Sequence, residues 1–219
     1  MTLSRKEKAF LAAVLFYSFV ATFGGLFRVA ELAGVGSIAP LNPRAVTAPF
    51  AIVLHILSSI VFCIVGALQF LPGLRHNRRP LHRKLGYVVA LSGSLSAATG
   101  LWMTTVFTFP PELQGPLLYV ARILLGTTML CLIAWGTGAA RAGQRHVHAA
   151  AMIRAYAIGQ GASTQAFFGL TFLLIFKHEP SGLERDVLMV SAWFANLLIA
   201  QIAIHQLSLK SRSGSHATA

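Results

Sequence analysis

Two arginines inside apolar segments give this sequence its strongest indication of chemistry. Arg122 and Arg154 each lie within a long apolar segment, and an arginine at the centre of a bilayer costs about 2.5–3.5 kcal/mol. No Asp or Glu occurs inside any of these segments. We therefore expect each guanidinium to bind a backbone carbonyl, a lipid phosphate or an anionic ligand, or, for Arg122, an acidic residue of a neighbouring loop.

Four histidines lie in or beside the same apolar segments, at two different depths. His55 is near one face of the expected bundle, whereas His82, His148 and His205 fall near the opposite face. Three imidazoles at one depth could ligate a metal ion or a haem iron, although histidines are also ordinary residues at a headgroup interface. Tyr156 shares a helical face with His148 and joins the candidate set.

Six long apolar segments must position these side chains. They cover residues 9–27, 50–71, 82–109, 117–138, 149–176 and 187–209. About 20 apolar residues in a helix span the hydrocarbon core of a bilayer. The chain is 55% hydrophobic and only 11% charged, against about 25% charged in soluble domains. The sequence therefore predicts an all-α, polytopic transmembrane helix bundle of six spans, with one domain over residues 1–209 and a disordered tail over 210–219.

The basic residues indicate how this bundle is oriented. Of 18 Lys and Arg, twelve fall in the N-terminus, in segments 72–84 and 139–147, and in the tail, and four fall in the other loops. Because Lys and Arg concentrate in cytoplasmic loops, we expect both termini to lie inside. The net charge of +12 would suggest nucleic acid for a soluble protein. Between spans, it instead indicates anionic lipid headgroups as the partner, and no nucleic acid.

Motifs of the common enzyme classes are missing from the sequence. It contains no G-x-S-x-G, no phosphate-binding loop, no H-E-x-x-H and no paired carboxylates, so the common hydrolases have no support. Cys63 and Cys131 form neither C-x-x-C nor a metal-binding spacing, and we expect two small buried apolar side chains. The lack of an intramembrane carboxylate argues against a proton-driven pump, although histidine can also carry protons.

Five motifs between about residues 50 and 170 carry a resemblance to a known family. They are Leu54-His55-Ile56, Gly66-x-x-Gln69-Phe70, Arg75, Pro80-x-His82-Arg83-x-x-Gly86-Tyr87 and His148-x-x-x-Met152-x-Arg154-x-Tyr156. These motifs resemble a bacterial family of predicted integral membrane proteins known as domain of unknown function 2306. Ala151 stands where that family often has Trp, and Gln165 with Ala166 where it often has Arg. The resemblance implies a polytopic bacterial membrane protein and supplies no established activity.

One leading hypothesis follows from these residues. It is a protein of the bacterial inner membrane that binds haem b or a quinone-like amphiphile in a redox or electron-transfer role. The four histidines are the candidate ligands, and the two arginines would bind propionates or polar head oxygens. One geometric difficulty is that His55 lies near the outer face and the other three histidines near the inner face, so a bis-histidine haem beside His55 lacks a second ligand.

Two other hypotheses stay open. The first is a transporter or lipid-binding membrane protein without a redox cofactor, in which the histidines and arginines line a substrate path. The second is a membrane-embedded enzyme acting on an isoprenoid or another lipid, with histidine as general base. The sequence leaves both enzymatic activity and a homo-oligomer undecided.

Overall fold

Eight helices make up the part of the chain that the structure describes. A computed structural model describes residues 3–36 and 48–216, with side chains up to 209, and contains no strand within them. The helices are α1 Arg5–Leu32, α2 Pro49–Gln69, α3 Pro72–Asn77, α4 Arg79–Val106, α5 Pro116–Arg141, α6 Arg145–Gly159, α7 Gly161–Phe176 and α8 Gly182–His216. The predicted all-α class is therefore confirmed.

Proline and a capping box set most of the helix starts. Four helices, α2 to α5, have Pro in their first two positions, where the missing N–H costs nothing and the fixed φ suits a helix. At the start of α1, Ser4 and Glu7 bond each other's backbone N–H groups. Glu7 also accepts a hydrogen bond from the Gly73 N–H at 2.8 Å, which joins α1 to α3 in the basic segment.

The number of candidate membrane-spanning segments is five, or six when one bent pair of helices is counted as a span, as the sequence predicts. Five helices are long and apolar enough to cross a membrane, namely α1, α2, α4, α5 and α8, and α6 with α7 forms a sixth candidate bent by 40°. The segment predicted as one span over 149–176 is thus a broken pair. Residues 28–46, which join the first two predicted spans and were expected to form a loop, are helical up to Leu32, and residues 37–46 of this loop lie outside the described residues.

Helices that are neighbours in the sequence are not always neighbours in the bundle. The helix α2 lies along α4, α4 packs on α5, α5 on α6, and α6 on α8, while α1 contacts α2 and α7. The core is centred on Phe62, which is 1% exposed and packs with Met129, Ile133 and Ala155. Cys131, expected to be buried, is instead exposed, because it lies on the outward face of α5.

Close packing around Phe62 gives a testable expectation for Gly93 in α4. A Cβ there would lie 2.6 Å from Phe62 Cδ2 and 2.8 Å from Ile133 Cδ1, so Gly93→Ala should lower the free energy of unfolding by about 1–3 kcal/mol. Unfolding in a titration with SDS, followed by circular dichroism, measures this. Gly138→Ala in α5 is the control, since its Cβ meets nothing within 4 Å. Equal effects of the two substitutions would contradict this packing.

Candidate functional site

A cavity inside the bundle brings together polar side chains from distant parts of the sequence. Its volume is about 450 Å³, within the range of small-molecule sites. All the long helices contribute to its wall, and most of the lining is apolar. None of the described residues that line it is Asp or Glu. The polar side chains of its wall include Ser18, His55, Ser59, Ser96, Arg122, Ser163 and Trp193.

A second, larger depression lies on the outside of the bundle between α7 and α8. It has a volume of about 690 Å³ and is lined mainly by Phe and Leu side chains, with Glu184 as its one charged residue among those described. A lipid-facing groove of this composition is what acyl chains fill in any bilayer. We therefore take the interior cavity, where cationic and imidazole groups converge, as the candidate site.

His55 is held in one orientation by α4. Its Nδ1 lies 2.9 Å from the Ser96 carbonyl oxygen and 3.1 Å from Thr99 Oγ1. Because a carbonyl oxygen only accepts, Nδ1 must donate, and in the neutral ring Nε2 then carries the lone pair. Nε2 bonds no described residue and is not among the buried atoms without a partner. His55 therefore offers a hydrogen-bond acceptor to the cavity.

Hydroxyl groups connect α2 to α4 beside this ring. Ser59 Oγ donates to the His55 carbonyl oxygen at 2.6 Å and accepts from Ser96 Oγ at 2.7 Å. Thr99 Oγ1 donates to the Leu95 carbonyl at 2.6 Å. These bonds satisfy polar groups that hydrocarbon cannot, so they fix the two helices and the ring in register.

Arg122 lies in the same cavity wall, on α5. A guanidinium N–H donates to Gln114 Oε1, and the guanidinium carbon is 5.3 Å from the centroid of the Phe109 ring. Gln114 and Phe109 both belong to the connection between α4 and α5. His55 lies within electrostatic range of Arg122. The wall of the cavity thus contains both a cation and an imidazole acceptor.

The break between α6 and α7 is stabilised by side chains of α8. Asn196 Nδ2 donates to the Ala157 carbonyl at 3.0 Å, and Trp193 Nε1 donates to the Ile158 carbonyl at 3.1 Å. These bonds replace the helical hydrogen bonds that the carbonyls lose at the break, as backbone at membrane depth requires. The break is therefore part of the fold, and residues on both sides of it line the cavity.

Gln160, at the break itself, is the centre of a polar network. Its Oε1 accepts from Ser163 Oγ at 3.0 Å and from Ser18 Oγ at 3.2 Å, and its Nε2 donates to Tyr156 Oη at 2.8 Å. Tyr156 Oη in turn donates to the Cys63 carbonyl at 2.8 Å. Tyr156, predicted to bind a cofactor, is not among the described residues of the cavity wall. Its visible contacts link α6 to α2.

The structure brings together only two of the seven predicted binding residues. His55 and Arg122 share the cavity wall, whereas the other five are not among the described residues that line it. Those five are His82, His148, His205, Arg154 and Tyr156. The depth of a residue in the membrane follows from its distance to the helix ends, which the sequence predicts. Whether its side chain faces the cavity or the outside of the bundle depends on how the helices pack.

The inner histidines, predicted as metal ligands, are not assembled into a metal site. Among the described residues, no group of three or more His, Cys, Asp and Glu could hold a metal ion. His148 Nδ1 donates to the Gly136 carbonyl at 2.9 Å, so its ring is turned towards α5. His205 is exposed on α8. His82 is within electrostatic range of His148, but two imidazoles fall short of the expected cluster of His82, His148 and His205.

Sequence reasoning missed the residues that hold the site in place. Ser96 and Thr99, which orient His55, look like ordinary small residues of a span. Gln114 lies in a loop, and its pairing with Arg122 becomes visible only in three dimensions. The one usable signal was Gly159-Gln160-Gly161, a polar residue between two glycines, which is a pattern typical of a break in a span.

Comparison with known proteins gives one match. The family model described as Predicted membrane protein (DUF2306) matches residues 52–204, which include His55, Arg122 and the broken span. The match confirms the resemblance that the motifs of α2, α4 and α6 carry. No curated protein and no solved structure matches the chain.

Proposed function

The chain belongs to the family described as Predicted membrane protein (DUF2306), and we propose that it binds a quinone-like amphiphile in the interior cavity. The observation that carries this proposal is the presence of both the His55 acceptor and the Arg122 cation in the wall of one largely apolar cavity. We place the protein in a bacterial inner membrane, with both termini inside, because of its basic inner segments. An electron-transfer role follows from the redox activity of quinones.

The chemistry of a quinone fits both polar groups. In the oxidised form, the Arg122 guanidinium donates a hydrogen bond to a quinone carbonyl oxygen. In the reduced form, the hydroquinone O–H donates a hydrogen bond to the Nε2 lone pair of His55. The apolar ring and tail find Leu101, Phe107 and Leu125 in the wall. The two polar groups and the apolar wall together favour an amphiphile with one oxygen-bearing ring over a free inorganic anion.

Haem b fits this cavity less well. A bis-histidine haem needs two imidazoles on opposite sides of the iron, and His55 is the one histidine among the described residues of the wall. His148 and His205, two of the other ligands considered, lie on α6 and α8 outside the described wall. The residues present therefore do not support a bis-histidine haem.

Fluorescence of Trp193 tests the proposal, because this side chain lines the cavity. In a Trp102→Phe, Trp135→Phe background, Trp193 is the one remaining tryptophan of the three. A short-chain benzoquinone should quench it in a saturable way. The corresponding hydroquinone, kept reduced, should compete for the same site, and His55→Leu should weaken its apparent affinity about fivefold, as expected for loss of the one hydrogen bond that its O–H donates to Nε2. Circular dichroism verifies that the variant is folded.

The outcomes separate the alternatives. Quenching by the benzoquinone that does not saturate, or a hydroquinone affinity that is the same in folded His55→Leu as in the wild-type protein, would overturn the quinone proposal. A Soret band in the purified protein that shifts in His55→Leu would replace it with a haem bound through one histidine.

A transporter is a second candidate, and the broken span favours it. Transporters often build their substrate sites from discontinuous helices at membrane depth, and here Gly159 and Ser163 line the cavity on either side of the break. Under this alternative, the cavity would open to each side in turn. Saturable flux of a small solute into liposomes, lost in Arg122→Gln, would support transport over quinone binding.

A further inference from the structure

Arg154, which is not among the described residues of the cavity wall, belongs to a polar patch on the outside of the bundle. Arg154 of α6 donates from Nη2 to Gln201 Oε1 of α8 at 2.7 Å, and this pair is exposed. His205 lies one turn further along α8 on the same face as Gln201 and is also exposed. We call Arg154, Gln201 and His205 the outer patch.

The outer patch has more hydrogen-bond donors than acceptors. Gln201 gives Arg154 a neutral oxygen, and the ion pair found among the described side chains joins Arg28 and Glu31 instead. The other guanidinium N–H groups, the Gln201 amide N–H groups and the His205 ring remain as donors facing away from the bundle. A guanidinium at membrane depth is costly without an anionic partner, so this arrangement favours an anion that arrives from the lipid.

The depth of the outer patch suits a phosphate of the headgroup layer. Arg154 is nine residues beyond Arg145, the start of α6, which is about 13 Å along the helix. Its long side chain can extend towards the headgroups from there. Arg141 and Arg145 lie at the same end of the bundle, so the local potential is positive.

An apolar stripe continues from the outer patch towards the bilayer centre. Phe194 and Leu198 are 69% and 52% exposed and lie on the same face of α8 as Gln201 and His205, at spacings of four, three and four residues. An acyl chain can lie along these side chains while its phosphate contacts the donors. Along α8, the apolar side chains lie towards the bilayer centre and the polar donors towards its surface, which matches the order of acyl chain and phosphate in a phospholipid.

We propose that the outer patch is a binding site for an anionic phospholipid, with Arg154, Gln201 and His205 donating to the phosphate and Phe194 and Leu198 contacting an acyl chain. This site is separate from the interior cavity and does not depend on the ligand there. Basic pockets between spans on the cytoplasmic side commonly bind anionic headgroups.

Native mass spectrometry of the purified protein with equal amounts of phosphatidylglycerol and phosphatidylcholine tests the site. The wild-type protein should retain phosphatidylglycerol preferentially. Arg154→Gln should lower that preference about fivefold, the effect of one basic residue near an anionic lipid. Arg145→Gln, which removes the same charge from an exposed position of the same helix, should leave the preference largely intact. Arg154→Lys should restore part of it.

Two results would overturn the proposal. One is equal retention of the two lipids by the wild-type protein. The other is an equal loss of preference in Arg154→Gln and Arg145→Gln, which would mean that the lipid preference depends on overall positive charge and not on a specific binding site. If Arg154→Gln does not fold, His205→Leu at an exposed position tests the same site, and an unchanged preference there counts against it.

Discussion

Replacing Arg122 with glutamine should weaken benzoquinone binding in the cavity about tenfold to a hundredfold, the effect of losing a hydrogen bond from a charged donor. Glutamine keeps a polar side chain, which is shorter, and removes the positive charge. It also donates from a single nitrogen, whereas the guanidinium donates from a fork that can bind Gln114 and a ligand oxygen together. We expect a larger effect than His55→Leu has on hydroquinone binding, because the hydrogen bond to His55 involves a neutral ring.

The Trp193 quenching titration in the two-phenylalanine background measures this effect. Arg141→Gln is the matched control, since Arg141 is exposed at the far end of the same helix, α5. Its affinity should equal that of the wild-type protein. If folded Arg122→Gln binds benzoquinone as tightly as Arg141→Gln does, the cation contributes nothing to the site, and the quinone proposal fails with it.

The spans could be predicted from the sequence because hydrocarbon imposes a strict rule on length and composition. A segment must satisfy its own backbone and remain apolar over the whole core, so each span can be recognised alone. Pro49 and Pro116 mark the starts of α2 and α5 for the same local reason. This local information is why the all-α, polytopic class was predicted correctly.

The break in the fifth span could not be predicted with the same ease. Residues 149–176 pass the length and hydropathy criteria as a single segment. The stabilising groups, Trp193 and Asn196, lie on α8 and are more than thirty residues away from the carbonyls that they bond. Whether a helix can break inside a membrane depends on hydrogen-bond donors from another helix. The sequence of residues 149–176 alone does not include these donors.

For the candidate site, the depth of each residue in the membrane could be predicted from the sequence, but the direction in which its side chain points could not. The depths of His55 and Arg122 follow from their distances to helix ends, and the structure places them in one cavity. Arg154 is on the outside, with Gln201, and His148 is turned to Gly136. Rotation of a helix about its axis is set by packing against its neighbours, so the sequence supplied the residues but could not assign each to a face.

Asp186→Ala should lower the free energy of unfolding by about 3–5 kcal/mol, the loss of two hydrogen bonds to a charged acceptor. Asp186 falls between two predicted spans, 149–176 and 187–209, where a loop exposed to water is expected, yet the structure buries it to 1% exposure. Its Oδ1 accepts from the Gly115 N–H at 2.9 Å, and its Oδ2 accepts from the Leu118 N–H at 3.0 Å. No side chain near the start of α5 caps that helix itself.

Asp186, near the start of α8, therefore acts as the cap of α5, and its negative charge faces the positive end of the α5 dipole. Removing it leaves two N–H groups buried without a partner. Asp186→Asn keeps one carbonyl oxygen and should lose roughly half as much. Glu184→Ala, two residues earlier and exposed, is the control, and should stay within about 0.5 kcal/mol of the wild-type protein. SDS titration followed by circular dichroism measures all three, and similar losses in Asp186→Ala and Glu184→Ala would show that α5 does not need this cap.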